Sequence, residues 1–129
     1  MIVVDSSVWI GYFNGVRSRE TDLLDALLDT EVLIVGDLVL TEVLQGFRDD
    51  EDHRRAEQAL AELDFRPMVG REIALKSARN YRWLRGRGGT VRKTIDVIIG
   101  TFCIENELSL LHDDRDFDSM RDHLGLATL

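Results

Sequence analysis

Apolar residues in this chain fall into short unbroken runs and longer periodic segments. The runs Ile2-Val3-Val4, Val32-Leu33-Ile34-Val35 and Leu108-Ser109-Leu110-Leu111 have the length and apolar character of strands buried on both faces. Residues 65–68 and 126–129 predict two further short strands, and Pro67 favours an edge or an end for the first of them. The segments between carry apolar residues at helical spacing. After Asp5-Ser6-Ser7 come Val8, Trp9, Ile10, Tyr12 and Phe13, closed by Asn14-Gly15. Leu23, Leu24, Leu27 and Leu28 predict an amphipathic helix over 18–29. Helices follow over 37–47 and over 51–63, the latter with Ala56, Leu60 and Leu63 inward. Over 71–84, Ile73, Ala74, Ala78 and Tyr81 share one side, and the glycines of 86–89 break the helix. Residues 94–106 form a strongly apolar helix and 117–123 a last one. Short apolar strands alternating with helices predict an α/β fold with a parallel sheet covered on both faces.

Composition narrows the class. The 129 residues suit one domain with one core, read here as spanning 1–129. At 44% hydrophobic and 31% charged residues, the chain is globular rather than disordered. No apolar run approaches the roughly 20 residues that span a bilayer. The amino terminus lacks the basic region and cleavage site of a signal peptide, so a cytoplasmic protein is expected. The lone Cys103 lies in an apolar stretch and reads as packing. A net charge of −8 argues against a polyanionic partner. Its distribution argues the other way, because residues 73–95 hold no acid while Lys76, Arg79, Arg82, Arg85, Arg87, Arg92 and Lys93 all lie there. Such a stretch is either a solvated helix face with a basic loop or a surface that guides a phosphate backbone.

The chemistry rests on acids placed inside or just beyond apolar segments. Asp5 ends the first run, Glu42 lies within Leu38-Val39-Leu40-Thr41-Glu42-Val43-Leu44, Asp96 within Thr94-Ile95-Asp96-Val97-Ile98-Ile99, and Asp114 follows Leu111 by three residues. Each has a plain explanation. Asp5 suits a helix cap, although Ser6 or Ser7 would cap as well. Glu42 suits an exposed helix face. Asp96 suits the positive end of a helix dipole, with Gly100 one turn on leaving room beside it. Asp113, Asp114 and Asp116 suit a helix amino terminus. Together, however, sites in parallel sheets form beyond the carboxyl ends of strands, where Asp5 and Asp114 fall. Converging carboxylates repel one another unless a cation lies between them, and an all-oxygen set selects a hard ion such as Mg²⁺ or Mn²⁺. Asp5 and Asp96 are the expected metal ligands. An acidic pocket with a basic flank suits phosphodiester hydrolysis, in which the metal neutralises phosphate and activates water. Arg85, Arg87 and Arg92 are the residues expected to grip a nucleic-acid backbone, and Trp83 is either packing or a stacking platform for a base. His53, His112 and His123 show no zinc spacing with Cys103.

The ordered motifs Asp5-Ser6-Ser7-Val8-Trp9-Ile10, Thr41-Glu42-Val43-Leu44-Gln45-Gly46, Thr94-Ile95-Asp96-Val97-Ile98-Ile99-Gly100 and Leu110-Leu111-His112-Asp113-Asp114-Arg115-Asp116-Phe117 resemble those of PIN-domain ribonucleases, and their spacing is similar to the VapC toxins of bacterial toxin–antitoxin pairs. The resemblance covers almost the whole chain. It implies a three-layer sandwich around a five-stranded, mostly parallel sheet. It also implies a Mg²⁺- or Mn²⁺-dependent endoribonuclease that cuts tRNA or another structured RNA to block translation, a small cognate antitoxin, and a homodimer. By the same resemblance Asp5, Glu42, Asp96 and Asp114 form the catalytic quartet, Asp116 is the additional acid, and Ser6 orders the site. The family often carries Thr or Ser where this chain has His112. The helices around Trp9, Tyr12 and Phe13 are a candidate wall for an antitoxin groove or a homodimer contact.

Competing readings stay open on the sequence. A receiver-like Mg²⁺-binding switch would need a Lys after a late strand, and none follows Lys93. A haloacid-dehalogenase-type phosphatase would need Asp-x-Asp where Asp5-Ser6-Ser7 stands. A degenerate PIN domain that acts only as a binding module is a third reading, against which the intact quartet argues.

Overall fold

A computed structural model describes residues 1–88 and 93–129. Four strands, β1 (Ile2–Val4), β2 (Leu33–Gly36), β3 (Asp64–Arg66) and β4 (Ser109–Leu111), form one parallel sheet in the order β3-β2-β1-β4. Ile2 lies opposite both Leu33 and Ser109, so β1 is paired on both sides. Beyond β4, Thr128 makes a single parallel bridge to Leu110, and Leu129 N–H donates to the Leu110 carbonyl at 3.1 Å. The fifth strand expected at 126–129 is thereby reduced to one bridge. Of that segment only Leu126 is buried, so little apolar surface holds it to the sheet.

Among the described residues there are seven α-helices: α1 (Ser6–Phe13), α2 (Arg19–Leu27), α3 (Asp37–Gln45), α4 (Asp50–Ala61), α5 (Gly70–Gly86), α6 (Thr94–Glu105) and α7 (Asp118–Leu124), the last preceded by a 3-10 turn over Arg115–Phe117. Local chemistry sets their starts. Asp5 caps α1, Asp49 caps α4, and Ser18 with Thr21 forms a reciprocal capping box on α2. The connections β1–β2 and β2–β3 move one way across the sheet, and β3–β4 moves back past β1. Right-handed crossovers then place α1–α4 on one face and α5–α6 on the other. The helix contacts agree: α1 touches α2 and α3, α3 touches α4, and α5 touches α6 and α7.

Coverage on both faces explains why Val3, Val4, Ile34, Leu110 and Leu111 are fully buried. Each such side chain stabilises the fold by about 1.5–3 kcal/mol relative to exposure. The edge strand β3 differs: Phe65 is 54% exposed, and Pro67 follows the strand end, as its missing donor requires. Trp9 is core, stacked on Phe13 at 5.7 Å between ring centroids, and so it walls no groove. Cys103 is buried packing, its thiol pushed up to about 12 by burial.

Helix α5 turns a different side inward from the one expected. Ala74 and Ala78 are exposed, while Ser77 and Leu84 are buried and Asn80 donates to Thr101 Oγ1 of α6 at 3.0 Å. Tyr81 of the expected side is half-buried against the core, but the inward stripe includes the polar Ser77 and Asn80, so packing against α6 rather than apolarity chooses it. The room expected beside Gly100 is filled by Met120, leaving none for the acid one turn earlier.

Gly36 joins β2 to α3, and its missing side chain leaves space for Met68. A Cβ there would meet the Sδ, Cγ and Cε atoms of that buried methionine. Met68 is wholly buried, so its side chain has no open space to retreat into, and its N–H donation to Asp37 Oδ1 at 3.0 Å holds the backbone beneath it. Gly36→Ala is expected to destabilise the fold by about 1–3 kcal/mol through overpacking. Urea unfolding should show a lower midpoint at an unchanged slope; an unchanged midpoint would refute the close approach.

Candidate acidic active site

The strand order places a crevice between β1 and β4, where chain connections leave in opposite directions. Ligands of open parallel sheets bind at such switch points. Asp5 is the first residue after β1, and its N–H donates to the Leu111 carbonyl at 2.9 Å, tying the two strand ends together. Its Oδ2 accepts from Ser7 N–H at 3.1 Å and from Ser7 Oγ at 2.6 Å. Asp5 therefore caps α1 and faces the crevice at once. It is 2% exposed, and Oδ1 has no hydrogen-bond partner.

The other acids arrive from three more elements. Asp96, in the first turn of α6, is 4% exposed, with Oδ2 unpartnered. Asp114 caps the 3-10 turn through Oδ1, which accepts from Asp116 N–H at 2.9 Å, while its Oδ2 lies 3.6 Å from Lys93 Nζ. Asp96, Asp114 and Asp116 each offer an oxygen within 4.8 Å of the others. Asp5 and Glu42 are not part of that cluster of three. Glu42, half-buried in the second turn of α3, accepts from Ser6 Oγ at 3.1 Å.

Two like charges at this separation repel by roughly 3 kcal/mol at an effective dielectric near 20. The titration behaviour follows. Burial first, then Asp5 and Asp114, push Asp96 up to about 7, with Lys93 opposing. Burial raises Asp5 above the usual carboxylate range against the Ser7 hydrogen bonds, and burial raises Glu42 against Ser6. Lys93 is held above its ordinary value chiefly by Asp96 and then Asp114. This one lysine, with a side chain 58% exposed, is a weak counterion for so many carboxylates. Two orphaned buried oxygens and an all-carboxylate donor set fit a hard divalent cation.

Two contributors are not apparent from the sequence. Ser7 Oγ donates to Asp5 and accepts from Asp113 N–H at 3.0 Å, so it joins the β1 and β4 loops. Lys93 belongs to the basic run in sequence, whereas in space it faces the acids. His112 Nδ1 accepts from Asp114 N–H at 3.2 Å, and its ring lies 4.9 Å from that of Phe117.

The basic run separates into different roles. Lys76 pairs with Glu72 and Glu105. Arg85 lies over Tyr81 at 5.7 Å, and Arg87 over Trp83 at 3.6 Å, covering one face of that indole. Arg92 lies outside the described residues. Arg85 and Arg87 stand at the carboxyl end of α5.

Known proteins share this sequence pattern and this fold. The PIN domain family profile matches residues 2–122, so the chain belongs to the PIN-domain family. Within it, a VapC ribonuclease of Mycobacterium bovis and ribonuclease VapC11 of Mycobacterium tuberculosis are each 30% identical over 123 residues, covering 92% of this chain and 90% of the relative. The fold is also that of a chain in the VapBC2 complex of Rickettsia felis, solved with a promoter DNA fragment, at TM-score 0.79 and 14% identity over 100% of this chain and 98% of that one. FitAcB of Neisseria gonorrhoeae gives 0.77 and 17%, over 100% and 96%.

Because Asp96 is raised from 3.8 to about 7, its ionisation is disfavoured by the fold. Without metal, this group costs stability progressively as pH rises from about 4 to about 7, and the penalty is constant above that. Asp96→Asn is expected to raise the metal-free Tm by roughly 5 °C at pH 8, with the gain shrinking below pH 7. A pH-independent difference in scanning calorimetry would contradict the assignment.

Proposed function

We propose that this chain is a Mg²⁺- or Mn²⁺-dependent endoribonuclease and the toxin of a VapBC-type pair, working as one cytoplasmic domain over residues 1–129. The observation that carries the reading is the cluster of Asp96, Asp114 and Asp116 beside the orphaned oxygen of Asp5. The sequence likeness to VapC ribonucleases supports RNA as substrate, with tRNA or another structured RNA as the class. Among the described residues no helix is long and apolar enough to cross a membrane.

Asp5 and Asp96 would hold the cation, with Asp114 and Asp116 completing its oxygen set. Bound there, a divalent cation would supply charge neutralisation for the scissile phosphate and a lowered pKa for an attacking water. The chain's own residues do the rest. Ser7 fixes Asp5 so that Oδ1 faces the crevice. Ser6 orients Glu42, whose raised pKa and half-exposed setting suit it to accept the proton of the attacking water. Lys93, beside Asp114, carries positive charge to the rim where a phosphate would enter. Burial of Asp5 and Asp96 excludes bulk water and strengthens each of these interactions.

The partner reading is an antitoxin whose tail carries an Arg into the acids, where a bidentate guanidinium competes with the cation. The VapBC and FitAB complexes among the structural neighbours support such a partner and a homodimer. With Trp9 in the core, the apolar part of the tail has Phe13 and Phe47 as a candidate wall, in a groove shared with Arg48 and Arg55.

RNA cleavage by the purified chain should stop in EDTA and return with Mg²⁺ or Mn²⁺. Asp5→Asn and Asp96→Asn should each lower cleavage at least 100-fold, while circular dichroism stays native. Mg²⁺ should raise the wild-type Tm but not that of Asp96→Asn. Cleavage in EDTA, or in either variant, would reject the reading.

The basic end of α5 is assigned to the phosphate backbone. Replacing Arg85 and Arg87 together should weaken RNA binding and reduce the salt slope by about 0.7 for each phosphate that is no longer neutralised, as expected for single strands. An unchanged slope returns both residues to a role in covering Tyr81 and Trp83.

A further inference from the structure

The outward side of α5 is not bare helix surface. Together with α6 it forms a groove of about 450 Å³, to which Ala74, Ala78 and Ile98 give apolar lining, Tyr81 an aromatic ring, and Arg82 and Arg85 positive charge. No carboxylate lines it, although the chain carries a net −8 and the groove on the neighbouring side of α5 includes Glu105. Ser77 also lines the groove. It is 5% exposed, and its hydroxyl has no hydrogen-bond partner. Buried polar groups are normally satisfied, so an orphan hydroxyl beside an apolar groove is incomplete without a ligand.

Position links this groove to the acids. Thr94 lines it and is the first residue of α6, and Asp96 lies in the same turn, about 3 Å further along the axis. Lys93, immediately before Thr94, reaches Asp114. At 3.6 residues per turn Thr94 and Asp96 leave opposite sides of α6, so the groove and the acids flank one helix start.

We propose that the α5–α6 groove is a nucleobase subsite for the RNA substrate, with Ser77 as the group that reads the base edge; this rests on the ribonuclease reading above. The apolar lining and the Tyr81 ring, one side of which lies under Arg85 at 5.7 Å, accept a base face, which stacks regardless of sequence. Arg82 and Arg85 receive the flanking phosphates. A χ1 step to another staggered well presents the Ser77 hydroxyl, which both donates and accepts. A second copy of this chain fits less well, because a two-fold contact would set Arg82 and Arg85 of one copy against the same residues of the other.

The test uses the full chain carrying Asp96→Asn, in EDTA, so that RNA stays intact. Fluorescence anisotropy compares a short single-stranded RNA with an RNA of equal length bearing abasic sugars. The base-containing strand should bind roughly 5- to 100-fold more tightly, the range for one stacked base. Ala78→Trp, made at an exposed position, should erase that ratio while abasic RNA binds as before. Ser77→Ala should change the ranking of the four homopolymers. An unchanged ratio in Ala78→Trp overturns the proposal. So does an unchanged ratio accompanied by loss of dimer mass in light scattering or loss of antitoxin capture, which would give the groove to a protein partner instead. If Ala78→Trp fails to fold, photo-crosslinking of 4-thiouridine RNA to the otherwise unaltered groove decides: cross-links on α5 support the subsite, and their absence overturns it. Cleavage by the chain with Asp96 intact, assayed in Mg²⁺, is read separately. Its failure removes the ribonuclease reading, whereas the base-to-abasic ratio alone judges the subsite.

Discussion

Burial of carboxylate at the β1–β4 crevice is the constraint on which this structure turns. Asp5 and Asp96 are almost wholly removed from water, and each keeps one oxygen without a partner. Hydrophobic packing of the sheet forces the strand ends together, and the strand ends bring the acids with them. The fold thus stores an unfavourable electrostatic arrangement that the core must outweigh. A site that is costly without a cation binds one more tightly, because coordination relieves both desolvation and mutual repulsion.

The hydrogen bonds around the acids are economical in residues. Asp5 is helix cap, strand-end tie and crevice acid at once, and Asp114 caps the 3-10 turn while facing Lys93. Capping and chemistry are therefore not alternatives here. The capping oxygen and the free oxygen are different atoms of one carboxylate. Ser6 and Ser7, adjacent in sequence at the start of α1, serve different acids on different elements, Glu42 and Asp5.

Electrostatics divides the surface by function. The acids gather at the switch point, while the acid-free stretch of α5 and the start of α6 flank it with arginines and Lys93. On a chain of net −8, a polyanion would be repelled on average and admitted locally. Several cations of that stretch are already engaged, Lys76 with Glu72 and Glu105, Arg85 and Arg87 with aromatic rings. The pairing with Glu72 and Glu105 takes Lys76 out of play for phosphate, whereas an arginine over a ring keeps its charge.

The sequence by itself determined the alternation of strands and helices, the parallel sheet, and the acids that gather, because short apolar runs and helical spacing are local properties. It placed Asp5, Glu42, Asp96, Asp114 and Asp116 near strand ends or in helices that begin there, and their motif order identified the family. Tertiary structure decided what local pattern leaves open. It chose the Ser77–Leu84 side of α5 over the Ala74–Ala78 side, because Asn80 on that side meets Thr101 of α6 across the interface, a contact that apolar spacing does not report. It turned Lys93 toward Asp114 and joined Ser7 to Asp113, contacts between residues 21 and 106 positions apart that no periodicity encodes. It reduced the last strand to a bridge at Thr128. Spacing along a chain fixes which residues share a face, but the partner of that face is set by the packing of the whole molecule.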